Sequence, residues 1–119
     1  MKPIGAEKNF ENKVKRWLVS QGIYPFGYPK DKMNATPCGY FEKRWGGGQF
    51  TKAGLPDLYI VVRGKAVEVE LKAETGKPSE LQTKNIEFVR ETGGIAGILY
   101  PRDFDKFKER ILDLKNENL

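Results

Sequence analysis

Residues 56–72 read PDLYIVVRGKAVEVELK. Leu58 to Val62 is a short apolar, β-branched run of the kind that forms a buried strand. Arg63-Gly64-Lys65 is a tight turn. From Ala66 to Lys72 the pattern alternates, with Val67, Val69 and Leu71 on one face and Glu68, Glu70 and Lys72 on the other. Two such strands joined by such a turn predict a β-hairpin. Antiparallel pairing then carries Asp57, just ahead of the first strand, towards Glu70 and Lys72 near the end of the second. Two carboxylates and an ammonium at the open end of a hairpin suit a hard divalent cation with a positioned positive charge beside it.

The elements around the hairpin follow from periodicity and punctuation. From Glu7 to Gln21 the apolar residues Phe10, Val14, Trp17 and Leu18 recur at helical spacing, and Gly22 is a stop signal. Residues 22–39 hold Pro25, Gly27, Pro29, Pro37 and Gly39 and read as loop, with a short extended piece at Ile23–Phe26. Tyr40 to Trp45 is an aromatic-rich strand, broken by Gly46–Gly48. Ser79 and Gln82 have capping-box spacing at the start of a helix whose apolar side is Leu81, Phe88 and Val89, ended by Gly93-Gly94. Ile95–Tyr100 is another buried strand. Pro101 precedes a last helix, with Asp103 as N-cap and a stripe of Phe104, Phe107, Ile111 and Leu114. The order is α-β-β-β-α-β-α, an α/β domain with a mixed sheet.

Composition narrows the chemistry. The 119 residues suit one compact domain, 1–119, and contain no internal repeat. With no histidine, the chain has no His-ligated zinc, no Ser-His-Asp triad and no His general base. The single Cys38 excludes a disulfide framework within the chain. Catalysis must therefore use carboxylates, Lys, Tyr, Ser/Thr or a metal on oxygen ligands. A formal charge of +5 leans towards a polyanionic partner. No apolar run approaches a membrane span, and the N-terminus lacks an apolar signal core, so a cytoplasmic protein is expected.

A carboxylate-x-Lys triplet has little weight alone. Glu11–Lys13, Glu70–Lys72 and Asp113–Lys115 all fit it. Only the middle one combines a strand, a charged face and a Pro-Asp turn one hairpin upstream. Its bland competitor is a solvated strand face of alternating charges.

Pro56-Asp57 followed by Glu70-Leu71-Lys72 resembles the signature of the PD-(D/E)XK nuclease superfamily. FENKVKRWL, WGGGQFTKAGLPDL, VEVELKAETGKPSELQ and GGIAGILYP together resemble the small stand-alone VRR-NUC nucleases of phages and bacteria, over roughly residues 7–114. The stretch from Tyr28 to Gly39 is longer than the usual connection in that family. The resemblance implies a restriction-endonuclease-like core, a central mixed sheet flanked by helices. It implies that Asp57 and Glu70 bind Mg²⁺ or Mn²⁺, with the backbone carbonyl of Leu71 as a further ligand. Lys72 would orient or deprotonate the attacking water, or stabilise charge on the phosphate. Glu11 matches the family's helical acid, touching metal directly or through water, with Glu7 a rival one turn earlier. Gln82 matches the glutamine that opens the helix after the motif.

Each of these has an ordinary alternative. Glu11 also suits a pair with Lys15 at i+4, and Gln82 suits the capping box. Glu68 reads as peripheral. Lys43, Arg44, Lys52, Lys65 and Lys77 flank the motif and are candidates for DNA phosphate contacts. The GGGQFTKAG segment is the candidate substrate-facing loop, because glycines permit close backbone approach. Trp17 and Trp45 read as core or interface aromatics. The resemblance implies a metal-dependent, structure-specific DNA endonuclease, a homodimer acting on branched DNA such as four-way junctions, with no membrane and no small organic cofactor. The alternatives are a non-catalytic basic DNA-binding module and a nickase or flap-type nuclease.

Overall fold

A computed structural model of the chain describes residues 5–44 and 54–117. Trp45, Lys52 and most of the GGGQFTKAG segment lie outside the described residues. The order is helix α1 (Ala6–Ser20), strands β1 (Ile23–Pro25), β2 (Gly39–Lys43), β3 (Leu58–Val62) and β4 (Lys65–Leu71), helix α2 (Glu80–Glu91), strand β5 (Ile95–Leu99) and helix α3 (Phe104–Lys115). Short 3₁₀ turns occupy Lys30–Lys32 and Pro101–Asp103. Among the described residues the strands form one mixed sheet in the order β1-β2-β3-β4-β5. The two outer pairings are parallel and the two inner ones antiparallel.

The hairpin at the centre follows from its turn. Val62 pairs with Lys65, so Arg63 and Gly64 alone make the connection, with φ of +48° and +84°. Both central residues at positive φ are what a two-residue hairpin turn requires to match strand twist. That register opposes Leu58 to Val69. Extended by one step, it brings Asp57 to the level of Glu70.

The sequence order gains one short strand. Ile23–Pro25 pairs in parallel with Gly39–Phe41. A parallel pair needs a crossover of about a dozen residues, and residues 26–38 supply it. Tyr24 anchors that crossover: its ring stacks on Tyr28, and its hydroxyl accepts the Ala35 N–H at 3.2 Å. The long 28–39 connection therefore has a structural role.

Two faces of the sheet are covered differently. Phe10, Val14 and Leu18 of α1 and Phe104, Phe107, Ile111 and Leu114 of α3 pack on Leu58, Ile60, Val67, Val69 and Leu71 to form the core. Each fully buried large side chain there contributes roughly 1.5–3 kcal/mol. Trp17 packs edge-on against Phe104 and Phe107 at the rim of this core. Helix α2 covers the opposite face, packing on β5, where Ala96 and Ile98 stand in register beside Glu68 and Glu70. The expected apolar side of α2 is corrected in part: Leu81 and Phe88 are 46% and 66% exposed, Val89 is half-buried, and Ile86 is the buried residue. Asp103 takes the N-cap position of α3 without a side-chain cap hydrogen bond.

The loop ahead of Asp57 is clamped to α2. Gly54 has φ +74°, and a Cβ there would sit 2.6 Å from Leu81 Cγ and 2.9 Å from Asn85 Nδ2. Only glycine allows that approach at that φ. Among the described residues no helix is long and apolar enough to cross a membrane.

Candidate active site

Asp57 is fixed from both its ends. Its backbone carbonyl accepts the Arg44 N–H at 2.7 Å, and its Oδ1 accepts the Leu71 N–H at 3.0 Å. The residue after β2 thus fixes the Asp57 backbone, and β4 fixes its carboxylate. Burial pushes the Asp57 carboxyl up, and the Leu71 N–H and the Lys43 ammonium offset that only in part.

Glu70 lies beside it and is 5% exposed. Its Oε2 accepts from Gln82 Nε2 at 3.1 Å and lies 3.6 Å from Lys72 Nζ. Gln82 is itself locked, because its Oε1 accepts the Ser79 N–H at 2.8 Å while its own N–H donates to Ser79 Oγ at 3.1 Å. The expected capping box and the expected site contact therefore coexist in one side chain. Burial, reinforced by the negative charge of Asp57, pushes the Glu70 carboxyl up to about 7, with Lys72 opposing. Among the described residues Glu70 Oε1 is buried and has no hydrogen-bond partner. A buried carboxylate oxygen left bare costs several kcal/mol if the group stays charged and calls for a physical reason.

Glu11 reaches the same end of the sheet from α1 and is 3% exposed. Its Oε2 meets Lys8 at 2.7 Å and Lys15 at 2.8 Å, and its Oε1 meets Lys43. Burial pushes this carboxyl up, but the hydrogen bonds from Lys15, Lys43 and Lys8 outweigh it and bring it down to about 2. Lys43 pairs in register with Leu58, so it leaves β2 on the face covered by α1. Its Nζ touches Glu11 and lies 3.5 Å from Asp57 Oδ2. Burial works against the Lys43 charge, yet the two carboxylates hold its pKa above the usual lysine value.

The hairpin thus brings together Asp57, Glu70, Leu71 and Lys72, and α2 adds Gln82. Glu11 joins the cluster through Lys43. Among the described residues no three His, Cys, Asp or Glu side chains stand at metal-binding spacing. The pair Asp57 and Glu70 nevertheless fits a hard divalent ion. Both are oxygen donors, and Glu70 Oε1 lacks the partner such an ion would provide.

The expected phosphate contacts are dispersed. Lys43 is engaged by Glu11 and Asp57. Arg44 pairs with Glu68 at 2.6 Å and lies 4.5 Å over the Tyr59 ring. Lys65 pairs with Glu117 at the turn end of the hairpin, away from Asp57. Lys77 is exposed in the segment leading to Ser79, and Lys52 lies outside the described residues. A groove of about 770 Å³ runs between α1 and strands β1 and β2. Lys15, Arg16 and Lys43 line it together with Phe26 and Phe41, so it opens beside the carboxylate cluster.

Sequence reasoning missed the three-lysine cage around Glu11. Lys8 and Lys15 are legible as i−3 and i+4 neighbours, but Lys43 has no local signal. Its role depends on the β2–β3 register. Comparison with protein-family models, curated proteins and solved structures gives no match for this chain.

Proposed function

We propose that the chain is a divalent-metal-dependent DNA endonuclease of the VRR-NUC type, built on a PD-(D/E)XK core. The observation that carries this reading is Glu70 Oε1, a bare buried carboxylate oxygen beside Asp57, with the Lys72 ammonium on the same carboxylate. The strand order and the place of Asp57 and Glu70 at the open end of a central hairpin are compatible with that core.

Asp57 and Glu70 would hold Mg²⁺ or Mn²⁺, with the Leu71 carbonyl as the further ligand that the resemblance implies. When bound, such an ion activates a water nucleophile and neutralises charge developing on the phosphate. The Leu71 N–H and Gln82 aim the two carboxylates. Lys72 meets the attacking water or the phosphate as a proton-transfer or charge-stabilising group. No histidine is needed for this chemistry. The groove beside the cluster has an apolar body that suits the bases of a nucleotide strand; Lys15 and Lys43 in its wall are engaged by Glu11 and Glu42 also lines it, which leaves Arg16 as its candidate for a phosphate.

The substrate that the resemblance points to is branched DNA, cut by a homodimer with one site per strand. The test is cleavage of four-way junction, flap, duplex and single-stranded DNA in Mg²⁺ or Mn²⁺, with Asp57→Ala alongside. Metal-dependent cleavage by the wild type that Asp57→Ala abolishes is the expected result. No cleavage of any substrate, or full activity in Asp57→Ala, overturns the reading. Salt-sensitive DNA binding without cleavage would identify a binding module instead.

A further inference from the structure

We propose that Lys43 fills the second cation position of this site with its own ammonium, so that each chain takes up one divalent ion and not two. This rests on the metal-binding reading above and specifies its stoichiometry.

Two-metal phosphodiesterase sites set their ions about 3.5–4 Å apart with carboxylate ligands held in common. Here Asp57 is the carboxylate placed to be shared, with Glu70 on one side and Glu11 on the other. The Glu70 side offers a bare oxygen, Glu70 Oε1. The Glu11 side does not. Lys43 Nζ stands there, touching Glu11 Oε1 and lying 3.5 Å from Asp57 Oδ2. The other Glu11 oxygen is engaged by Lys8 and Lys15.

A divalent ion entering between Glu11 and Asp57 would have to evict one ammonium and sit close to two more. Like charges at such distances repel by several kcal/mol wherever solvent is thin. An ion on the Glu70 side displaces no ammonium: Lys72 lies on the other Glu70 oxygen, and Lys43 stands on the far side of the Asp57 carboxylate. The charge on the Glu11 side is already balanced by groups of the chain itself. Lys43 is anchored for this role. It belongs to β2, is hydrogen-bonded in register to β3, and its side chain is 20% exposed. Its ammonium cannot exchange with solvent as a metal ion does.

The experiment is Mn²⁺ binding to the full chain, read by the electron paramagnetic resonance of free Mn²⁺ and by calorimetry at pH 8. Wild type, Lys43→Met and the double variant Lys43→Met/Glu11→Gln are compared. Methionine keeps the length and packing of the lysine stem without its charge. One ion per chain is expected for the wild type, two for Lys43→Met and one for the double variant. Should Lys43→Met fail to fold by circular dichroism, Lys43→Gln is read in its place. Two ions in the wild type, or one in both wild type and single variant, overturns the proposal and leaves the nuclease reading standing. No bound ion in the wild type removes both.

Discussion

Gln82 Nε2 donates to Glu70 Oε2 at 3.1 Å while Gln82 Oε1 accepts the N–H of Ser79, so one side chain both caps α2 and sets the orientation of a buried carboxylate. The amide is not free to flip, because reversing it would put N–H against N–H at Ser79. Glu70 is thereby held through one oxygen, and its second is buried with no partner among the described residues. Replacing Gln82 by Leu separates these roles when set beside Ser79→Ala. Both variants weaken the cap, by about 1 kcal/mol for the serine. Only Gln82→Leu releases Glu70. Thermal melting should show similar losses for the two. Mn²⁺ affinity should fall on the order of 10–100-fold in Gln82→Leu and change little in Ser79→Ala. Equal metal affinities in the two variants would show that the Gln82–Glu70 bond has no positioning role.

The pH dependence of the metal-free protein follows from Glu70. Its carboxyl is raised from 4.5 to about 7 by burial and by Asp57. The folded chain therefore keeps a proton that the unfolded chain has released between these values. The stability this supplies is complete below pH 4.5 and is lost as the pH rises through 7. Glu70→Gln fixes the uncharged form. It should be more stable than the wild type at pH 8, by up to ~3 kcal/mol, and no more stable at pH 4. The same variant should lose cleavage. Denaturant unfolding at the two pH values checks it, and a variant less stable at pH 8 would contradict the assigned shift.

Glu11 behaves in the opposite sense. Three ammoniums hold its carboxyl down at about 2 against the effect of burial. Its contribution is present above pH 4.5 and is lost as the pH falls through 2. Glu11→Gln removes that contribution and leaves Lys8, Lys15 and Lys43 crowded together. A loss of ~2 kcal/mol or more at pH 7 is expected, as for breaking a buried ion pair from one side. The loss should shrink towards pH 2. Urea titrations across this range measure it; a loss that does not change with pH would place the cost in packing and not in charge.

How far the sequence carried the structure depends on how local each determinant is. The hairpin and the Asp57–Glu70 juxtaposition were legible because strand alternation and a two-residue turn set the register within 17 residues, 56–72. The core stripes of α1 and α3 were legible from helical spacing. Strand β1 was marginal because three residues carry little pattern, and its parallel pairing depends on a crossover held by Tyr24 and Tyr28. The apolar side of α2 is less legible: Leu81, Phe88 and Val89 have helical spacing, but in the fold α2 packs on β5 and Ile86 is the residue it buries. The pairing of Lys43 was not legible, since nothing within its own segment tells that β2 delivers it to Glu11 and Asp57. Burial of a charge is set by distant elements, and local sequence does not encode it.

Lys72 is the remaining charge on this face, and its place separates binding from chemistry. Its Nζ lies 3.6 Å from Glu70 Oε2, the oxygen already held by Gln82, and not on the bare Oε1. Removing it therefore leaves the proposed metal ligands and their supports intact. Lys72→Ala should keep Mn²⁺ affinity within a few-fold of the wild type, and removing its repulsion from an incoming cation works in favour of binding. Cleavage should fall by about 10²–10⁴, the usual contribution of a positioned proton-transfer or charge-stabilising group. Lys72→Arg keeps the charge but presents a rigid planar fork that cannot move a proton at neutral pH. Single-turnover cleavage at saturating Mn²⁺ compares the two. Recovery in Lys72→Arg would assign an electrostatic role, and equal loss in both variants would assign proton transfer. Undiminished cleavage in Lys72→Ala would remove Lys72 from the reaction.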